Sequence, residues 1–408
     1  MSREAFRDAV PAVLDLKGLR TAPPQSMGAV RILPLVRERF LAEGAALADP
    51  PRDLRIGLRG YGDSYAVVEV GGDGPTDPGL KYMSFVPHGL IVSYTEDGSP
   101  VAALGGSFGP ASEKKDRFVR LMHRMVKQEQ GEGATSRFRM LPLHLAMEGF
   151  LALHFNGPDI LWNQYSQQAI RKGLDPRSER AIRGSWLPGL EEALRTFEIL
   201  PAQAGVLVFV ADALACALVM PHPEDYRRMH TSLLGDFFGD LLREYAILHP
   251  HSLPAHAPLD GGAVKTLEDL VRQVARVRAD WSEYAALLSA GLLGRAVKVE
   301  RVRSMGPFRL ERFVPLFDPD VECHIGERIV REDGTLEYLK TFRLSAAQVR
   351  RAYLLEQLAA AEWNMERAAA ALRCTEKDLA QRLVSAGFGF LLKASVLLAL
   401  PRAGKRRG

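Results

Sequence analysis

The sequence predicts an α+β protein, in which a body of mixed helices and strands is followed by a small all-α module of three helices. Short apolar runs bounded by Gly, Pro and Asp clusters predict many β-strands along the body. Between them, apolar residues recur with helical spacing, most clearly at 266–293. Residues 353–388 then carry three helical patterns separated by capping residues. With 408 residues, of which 47% are apolar, the chain is long enough for two or three globular domains.

The first half of the chain is predicted to be rich in strands. The predicted strands are 30–36, 65–70, 81–86, 89–94, 101–104, 205–210 and 214–220. The last two are joined by only three residues, Ala211-Asp-Ala213, which indicates a tight hairpin. Helical spacing predicts helices at 187–197 and 223–245.

The second half begins after a Pro- and His-rich segment and has its own helix and strands. A helix is predicted at 266–293, and strands at 297–303, 308–314, 324–331 and 336–342. Asp333-Gly334 is a typical hairpin turn between the last two strands. The predicted division is therefore a flexible lead-in at 1–25, the α+β body at 26–248, a linker at 249–264, a helix with antiparallel strands at 265–345, a helical module at 346–388 and a basic tail at 389–408.

The C-terminal module is predicted from caps and from small residues at helix contacts. Asn364 and Thr375 are predicted to be the N-caps of its second and third helices, and Gly387 the C-cap of the third. Ala368 and Ala369 allow close helix crossing because larger side chains would not fit there. The predicted core of the module is Leu355, Leu358, Ala368, Ala369, Leu372, Leu379 and Leu383.

This arrangement resembles the Fis-type helix-turn-helix, the DNA-binding module of the factor for inversion stimulation and of many bacterial response regulators. The matching positions are Asn364, Ala368, Ala369, Leu379, Leu383 and Gly387. The resemblance implies a bacterial transcription regulator that binds double-stranded DNA through residues 346–408 as a homodimer. The candidate DNA-binding residues are Arg373, Thr375, Lys377, Gln381 and Arg382. Arg373 stands where the family usually has a turn glycine, which costs about 1 kcal/mol if its φ is positive.

Charge is divided unevenly along the chain. The net charge of +4 combines +6 over residues 346–408, which hold 11 Lys and Arg against 5 Asp and Glu, with −2 over the remainder. A basic C-terminal region favours a polyanionic partner. Glu376 and Asp378 on the third helix oppose such a partner, because acidic groups facing phosphates weaken the electrostatic attraction. A second hypothesis therefore stays open, in which the module is an adaptor that contacts protein and does not bind DNA.

Four segments of the body follow one another in a distinctive order, at 161–166, 190–197, 201–210 and 223–245. Their characteristic residues are Trp162, Gln203, Gly205, Leu233, Leu234 and Tyr245. This order resembles the ARG-and-rhodanese-phosphatase-superfamily-associated protein domain, a bacterial family named for neighbours that include ADP-ribosylglycohydrolases. The resemblance implies a fold, and it opens a third hypothesis of a nucleotide- or ADP-ribose-related binding module or enzyme. Trp162 and Tyr245 are expected to be core aromatics.

No catalytic motif is recognised, so catalysis is not expected, and no cofactor or metal is predicted. The Gly-rich segment 72–79 lacks the Gly-Lys-Ser/Thr of a phosphate-binding loop, and 105–109 lacks the spacing of a nucleophile elbow. His144 and Glu148 stand four residues apart, but no third ligand is suitably spaced.

The remaining sequence features concern the cellular compartment. Three widely separated cysteines, Cys216, Cys323 and Cys374, indicate no disulfide framework. No signal peptide is recognised, and the apolar stretch 388–400 is too short to span a bilayer. We therefore expect a cytoplasmic bacterial protein that does not bind membranes.

Overall fold

The computed structural model describes residues 10–41, 54–58, 66–70, 80–84, 90–94, 100–104, 106–110, 138–140, 155, 157–161, 163–165, 190–232, 234, 242, 245–246 and 260–400. The strands of this part of the chain are β1 (Val10–Val13), β2 (Leu19–Thr21), β3 (Gln25–Met27), β4 (Val30–Arg37), β5 (Leu54–Leu58), β6 (Ala66–Val70), β7 (Leu80–Ser84), β8 (Leu90–Tyr94), β9 (Pro100–Leu104), β10 (Gly106–Pro110), β11 (Phe138–Met140), β12 (Gln203–Val210), β13 (Ala213–Val219), β14 (Ala296–Met305), β15 (Phe308–Pro315), β16 (His324–Arg331) and β17 (Leu336–Arg343).

The largest assembly in the described residues is a ten-stranded antiparallel sheet. Its order is β1-β14-β15-β16-β17-β13-β12-β4-β2, and β3 pairs with β4 beside β2. The described strands also form two smaller antiparallel sheets, ordered β10-β7-β6-β5 and β11-β8-β9. The mixture of antiparallel sheets and helices agrees with the predicted α+β class.

The predicted strands of both halves are present, with bounds that differ by a few residues. The structure adds β1 and β2 within the lead-in expected at 1–25, and there Leu14 and Leu19 are buried. These runs of three or four residues show no clear alternation, and they become strands because β14 and β4 offer them hydrogen-bonding edges. Strands of the body and of 265–345 share the large sheet, since β13 pairs with β17, and β1 of the lead-in joins it by pairing with β14.

Alternate residues of the central strands face two separate apolar cores. On β12, Val206 and Val208 belong to one core, whereas Leu207 and Phe209 belong to the other. This alternation follows from the two-residue period of a strand. Helices are therefore needed on both faces of the sheet, because each face presents apolar side chains.

The helices of the described part cover these two faces. They are α1 (Leu190–Thr196), α2 (Pro223–Ser232), α3 (Leu267–Leu293), α4 (Ala346–Ala360), α5 (Met365–Ala371) and α6 (Glu376–Ser385), and a further helix, α7 (Ala394–Ala399), has no buried residue. Helix α2 packs against β12 on the first face, where α4, α5 and α6 contribute to the same core. Helix α3 covers the second face and buries Ala285 and Leu292 there.

One buried carboxylate joins three strands of the large sheet. The Glu337 side chain at the start of β17 is fully buried. Arg39 Nη1 donates to Glu337 Oε1 at 2.9 Å, and Arg331 Nε donates to the same oxygen at 3.1 Å. Arg37 Nη2 lies 3.5 Å from Glu337 Oε2. Arg37 is the last residue of β4, Arg39 lies two residues further on, and Arg331 is the last residue of β16. The carboxylate therefore fixes the ends of β4 and β16 against β17.

The buried Arg37 guanidinium is also held by main-chain carbonyls. Its Nη1 donates to the carbonyl of Leu336 at 2.8 Å, and its Nε and Nη2 donate to the carbonyl of Met220 at 3.1 and 2.7 Å. Burial lowers the pKa of Arg37 to about 9, which is still above neutral pH. The guanidinium therefore stays charged, and these bonds offset the cost of its desolvation.

Replacing Glu337 by glutamine should destabilise the fold strongly. Glu337→Gln removes the negative charge but leaves three arginines around the site, and an uncompensated buried charge costs on the order of 3–5 kcal/mol. Urea unfolding monitored by circular dichroism measures this loss. The control is Glu191→Gln, which removes an exposed carboxylate 4.0 Å from Arg195 and should change stability by less than about 1 kcal/mol. Equal effects of the two changes would contradict the role assigned to Glu337.

A second prediction concerns acid sensitivity at His324 on β16. Burial, together with the positive charge of Arg343, lowers the pKa of His324 to about 3. The unfolded chain takes up the proton near pH 6.5 and the folded chain does not, so stability is lost as the pH falls below 6.5. His324→Leu should make this loss shallower by up to about 1.4 kcal/mol per pH unit between about pH 6 and 5. Urea unfolding at several pH values tests it, and unchanged slopes would refute it.

Candidate nucleic-acid interface

The three helices between 346 and 385 end in the same way. In each, the third residue past the helix donates its N–H to the carbonyl five residues earlier: Trp363 to Leu358, Cys374 to Ala369 and Phe388 to Leu383. This is the Schellman motif, which requires a left-handed residue just before the donor. Those residues are Glu362, Arg373 and Gly387, with φ of 54°, 50° and 85°.

The three helices also begin with side-chain caps. Ser345 and Thr375 each accept a hydrogen bond from the backbone N–H three residues later, and each forms a capping box. Asn364 accepts from the N–H of Arg367 at 3.0 Å. The caps predicted at Asn364, Thr375 and Gly387 are therefore confirmed, and these local signals set the helix boundaries.

The apolar side chains expected inside these helices are buried with one exception. Those buried are Leu355, Leu358, Ala368, Ala369, Leu379 and Leu383, and Leu372 is only partly buried. Ala368 and Ala369 are buried on α5, which contacts both α4 and α6, as expected where helices cross near small residues.

The candidate DNA-contacting side chains are exposed. Arg373, Thr375, Lys377, Gln381 and Arg382 all lie on the surface. The Thr375 hydroxyl is occupied by the cap, because it accepts from the N–H of Asp378 and donates to the Asp378 carboxylate at 2.7 Å. The hydroxyl and the backbone N–H of Thr375, which both donate to this carboxylate, lower the pKa of Asp378. Asp378 thus stays ionised and bound to the cap, while Lys377, Gln381 and Arg382 remain on the outer side of α6.

The C-terminal helices are joined to the body by direct contacts that the sequence did not indicate. Lys298 on β14 forms an ion pair with Glu356 on α4 at 2.7 Å. The Trp363 indole lies against Gly157, where an added Cβ would come within 3.1 Å of the ring. Lone charges and a single tryptophan carry no sequence signal for such long-range contacts, and only the fold brings them together.

The described residues on which the body's resemblance to the ARG-and-rhodanese-phosphatase-superfamily-associated domain rests mostly stabilise the fold. Gln203 is buried and its side-chain oxygen accepts from the N–H of Leu200 at 2.9 Å. At Gly205 a Cβ would lie 2.6 Å from the carbonyl oxygen of Leu218, so close strand pairing requires glycine there. Leu234 is buried. Tyr245, expected in the core, is 43% exposed, because its backbone carbonyl rather than its ring meets the β3–β4 turn at Ala29. Trp162 and Leu233 lie outside the described residues.

A buried polar network lies beside Gln203. His230 Nε2 lies 2.8 Å from the carbonyl oxygen of Phe197, and its Nδ1 lies 3.3 Å from the Tyr226 hydroxyl. Burial raises the pKa of Tyr226 and lowers that of His230, so both are neutral at pH 7. The network links α1, α2 and β12 and thereby satisfies polar groups inside the first core.

The described residues offer no metal site. No group of three or more His, Cys, Asp or Glu side chains suited to a metal ion occurs among them, and His144 and Glu148 lie outside this part. Cys216 and Cys323 are buried free thiols. No helix within the described ranges is long and apolar enough to cross a membrane.

The left-handed residues at the helix ends give a test of local strain. Gly387→Ala should destabilise the protein by about 1 kcal/mol, because an alanine at φ of 85° is strained. Arg373→Gly should raise stability by up to about 1 kcal/mol, because glycine adopts the positive φ of this position without strain. Thermal unfolding measures both. Gly389→Ala is the control, since its φ is not positive and the nearest side-chain atom would lie at 3.5 Å. A loss of stability in Arg373→Gly would contradict the strain at this turn.

The comparison with family models gives a match that extends well beyond the stretch 161–245. The model of the ARPP-2 family, the ARG and Rhodanese-Phosphatase-superfamily-associated proteins, matches residues 14–306. No Fis-type family model matches the C-terminal helices. No curated protein and no solved structure matches the chain. The match covers most of the chain, from the end of β1 to the β14–β15 turn, and the protein belongs to the ARPP-2 family.

Proposed function

We propose that this ARPP-2 protein is a bacterial regulator whose helices α4, α5 and α6 form a Fis-type helix-turn-helix that binds double-stranded DNA as a dimer. The observation that carries the proposal is the division of α6 into two sides. Leu379 and Leu383 are buried, whereas Lys377, Gln381 and Arg382 are exposed. An exposed polar and cationic helix face suits contacts with phosphates and base edges in a major groove.

The acidic side chains of α6 weaken this proposal less than their number suggests. Asp378 is held by the Thr375 cap, which fixes its carboxylate at the start of the helix. Glu376 is exposed in the first turn, where a negative charge favours the helix dipole but repels phosphates. The affinity of a single helix-turn-helix for DNA is therefore expected to be low. A dimer that places two helix-turn-helix units on two half-sites would raise this affinity.

The alternative function is an adaptor that uses the same helices for protein contacts. Two observations favour it. Glu376 remains on the exposed side of α6, and Val384 on that helix is 42% exposed. An exposed valine and an exposed acidic residue on one helix suit a protein surface better than a phosphate backbone.

A salt titration of full-length protein on random duplex DNA tests the proposal. DNA affinity should fall steeply as salt rises, because cation–phosphate contacts release counterions. Lys377→Ala/Arg382→Ala should lower the slope of log affinity against log salt by about 0.9 for each lost phosphate contact, and by about twice that for each residue in a dimer. Fluorescence anisotropy with a labelled duplex provides the measurement.

The control removes the same charge from the body. Arg227 and Arg228 are exposed on α2, so Arg227→Ala/Arg228→Ala should leave the salt slope unchanged. A chain that ends at Leu400 separates the contribution of the tail, which holds Arg402, Lys405, Arg406 and Arg407. If the native chain does not bind DNA and only Glu376→Arg/Gln381→Arg does, the adaptor function replaces the regulator.

A further inference from the structure

The long helix α3 extends past the edge of the large sheet. Its carboxyl-terminal half is packed, with Leu292 buried and the Tyr284 hydroxyl donating to Asp212 at 3.0 Å. Further toward its amino terminus, Ser282 lies 3.4 Å from Thr21 of the edge strand β2. The helix continues for 15 residues beyond Ser282, about 22 Å. None of the described side chains at 267–283 is buried.

The free half of α3 carries an apolar stripe. Leu267 is 78% exposed, Val271 61% and Leu270 38%, and Val274 and Val277 are partly exposed. An isolated helix of this length is only marginally stable in water, and its stability normally comes from packing of an apolar face. The described residues show no apolar packing for this half: besides the cap at Lys265 and Thr266, the hydrogen bonds that it makes beyond the helix join Gln273 to Asp260.

The spacing of the stripe identifies the kind of partner. Seven apolar or aromatic residues of α3 stand at alternating intervals of three and four: Leu267, Leu270, Val274, Val277, Trp281, Tyr284 and Leu288. This is the a/d pattern of a coiled coil, whose repeat of 3.5 residues keeps a seam facing another helix. A sheet or an extended peptide has no such period. Because a second copy of this chain carries the same seam, it is the partner that matches in period and length.

We propose that residues 267–280 form an antiparallel two-helix coiled coil with the same segment of a second copy. In the antiparallel register centred on Arg272, Leu267 meets Val277 of the other copy and Leu270 meets its Val274. The flanking positions then pair Val271 with Val271 and Gln273 with Gln273, so no like charges face each other. A parallel pair is disfavoured, because the seam turns toward its own sheet at Tyr284 and Leu288, which would bring the two bodies together on one side.

The size of this contact predicts a weak dimer. Five apolar side chains from each copy, ten in all, would enter the contact. Complete burial of a Val or Leu side chain yields about 1.5–3 kcal/mol at about 25 cal/mol per Å², which corresponds to on the order of 100 Å². Each side chain therefore buries at most about this area. Because Leu270, Val274 and Val277 are already partly buried, the total stays below roughly 1,000 Å², the lower limit for a stable specific interface. We therefore expect dissociation constants in the micromolar range. This inference goes beyond DNA binding and does not depend on it.

Sedimentation equilibrium of the full chain without DNA tests the proposal. The native protein should dimerise reversibly between about 1 and 100 μM. Leu267→Lys should weaken the dimer by about tenfold or more, because it places an unpaired charge in the seam. The matched control is Leu287→Lys, which changes a 71% exposed leucine on the same helix outside the contact and should leave the dimer intact.

Cysteine cross-linking tests the orientation. Val271→Cys should form a disulfide-linked dimer under mild oxidation, because equivalent flanking positions meet only in the antiparallel register. Ala279→Cys, on the outer side of the helix, should not. A protein that stays monomeric throughout would overturn the proposal and indicate that the seam is covered in another way. A dimer that is equally sensitive to both lysine variants, or that cross-links at Ala279→Cys, would also overturn it.

Discussion

The buried carboxylate of Glu337 is the contact on which the large sheet depends. Arg37 and Arg39 come from the first strands of the chain, and Arg331 and Glu337 come from the last hairpin, some 300 residues later. Hydrogen bonds along the strands fix only neighbouring pairs, whereas this cluster fixes strands that are not adjacent. It thus sets how β4, β13, β16 and β17 come together at one end of the sheet. Charges this deep are tolerated because each is paired and hydrogen-bonded.

The C-terminal helices share the core of the sheet. Helix α4 follows β17 after two residues, Lys298 pairs with Glu356, and Trp363 lies against Gly157. A change in the body at any of these contacts would reach α4 through packed atoms. In the regulator function proposed above, a small displacement of α4 would convey a signal, since packed interfaces move between discrete arrangements.

Local features were predictable from the sequence, and long-range ones were not. Caps at Asn364 and Thr375 and the hairpin turn at Asp333-Gly334 involve residues that are close in sequence, so their chemistry identifies them. The strand β1 and the exposed ring of Tyr245 depend on partners far along the chain. For the candidate interface, the exposure of Lys377 and Arg382 follows from helical spacing, but the engagement of Thr375 and Asp378 in a cap needs coordinates. The Glu337 cluster has no sequence signal, because a charged residue in an alternating strand is usually placed toward solvent.

The strand order also constrains how the protein is made. Of the strands in the described sheet, β17 is synthesised last, and it lies in the interior between β13 and β16. A growing chain on the ribosome therefore presents β13 with one side unpaired until residues 336–343 have emerged. Unpaired strand edges readily associate with other chains. The hundred or more residues between β13 and β17 thus define a period of translation in which the nascent protein is most exposed to aggregation, and in which chaperones would bind it.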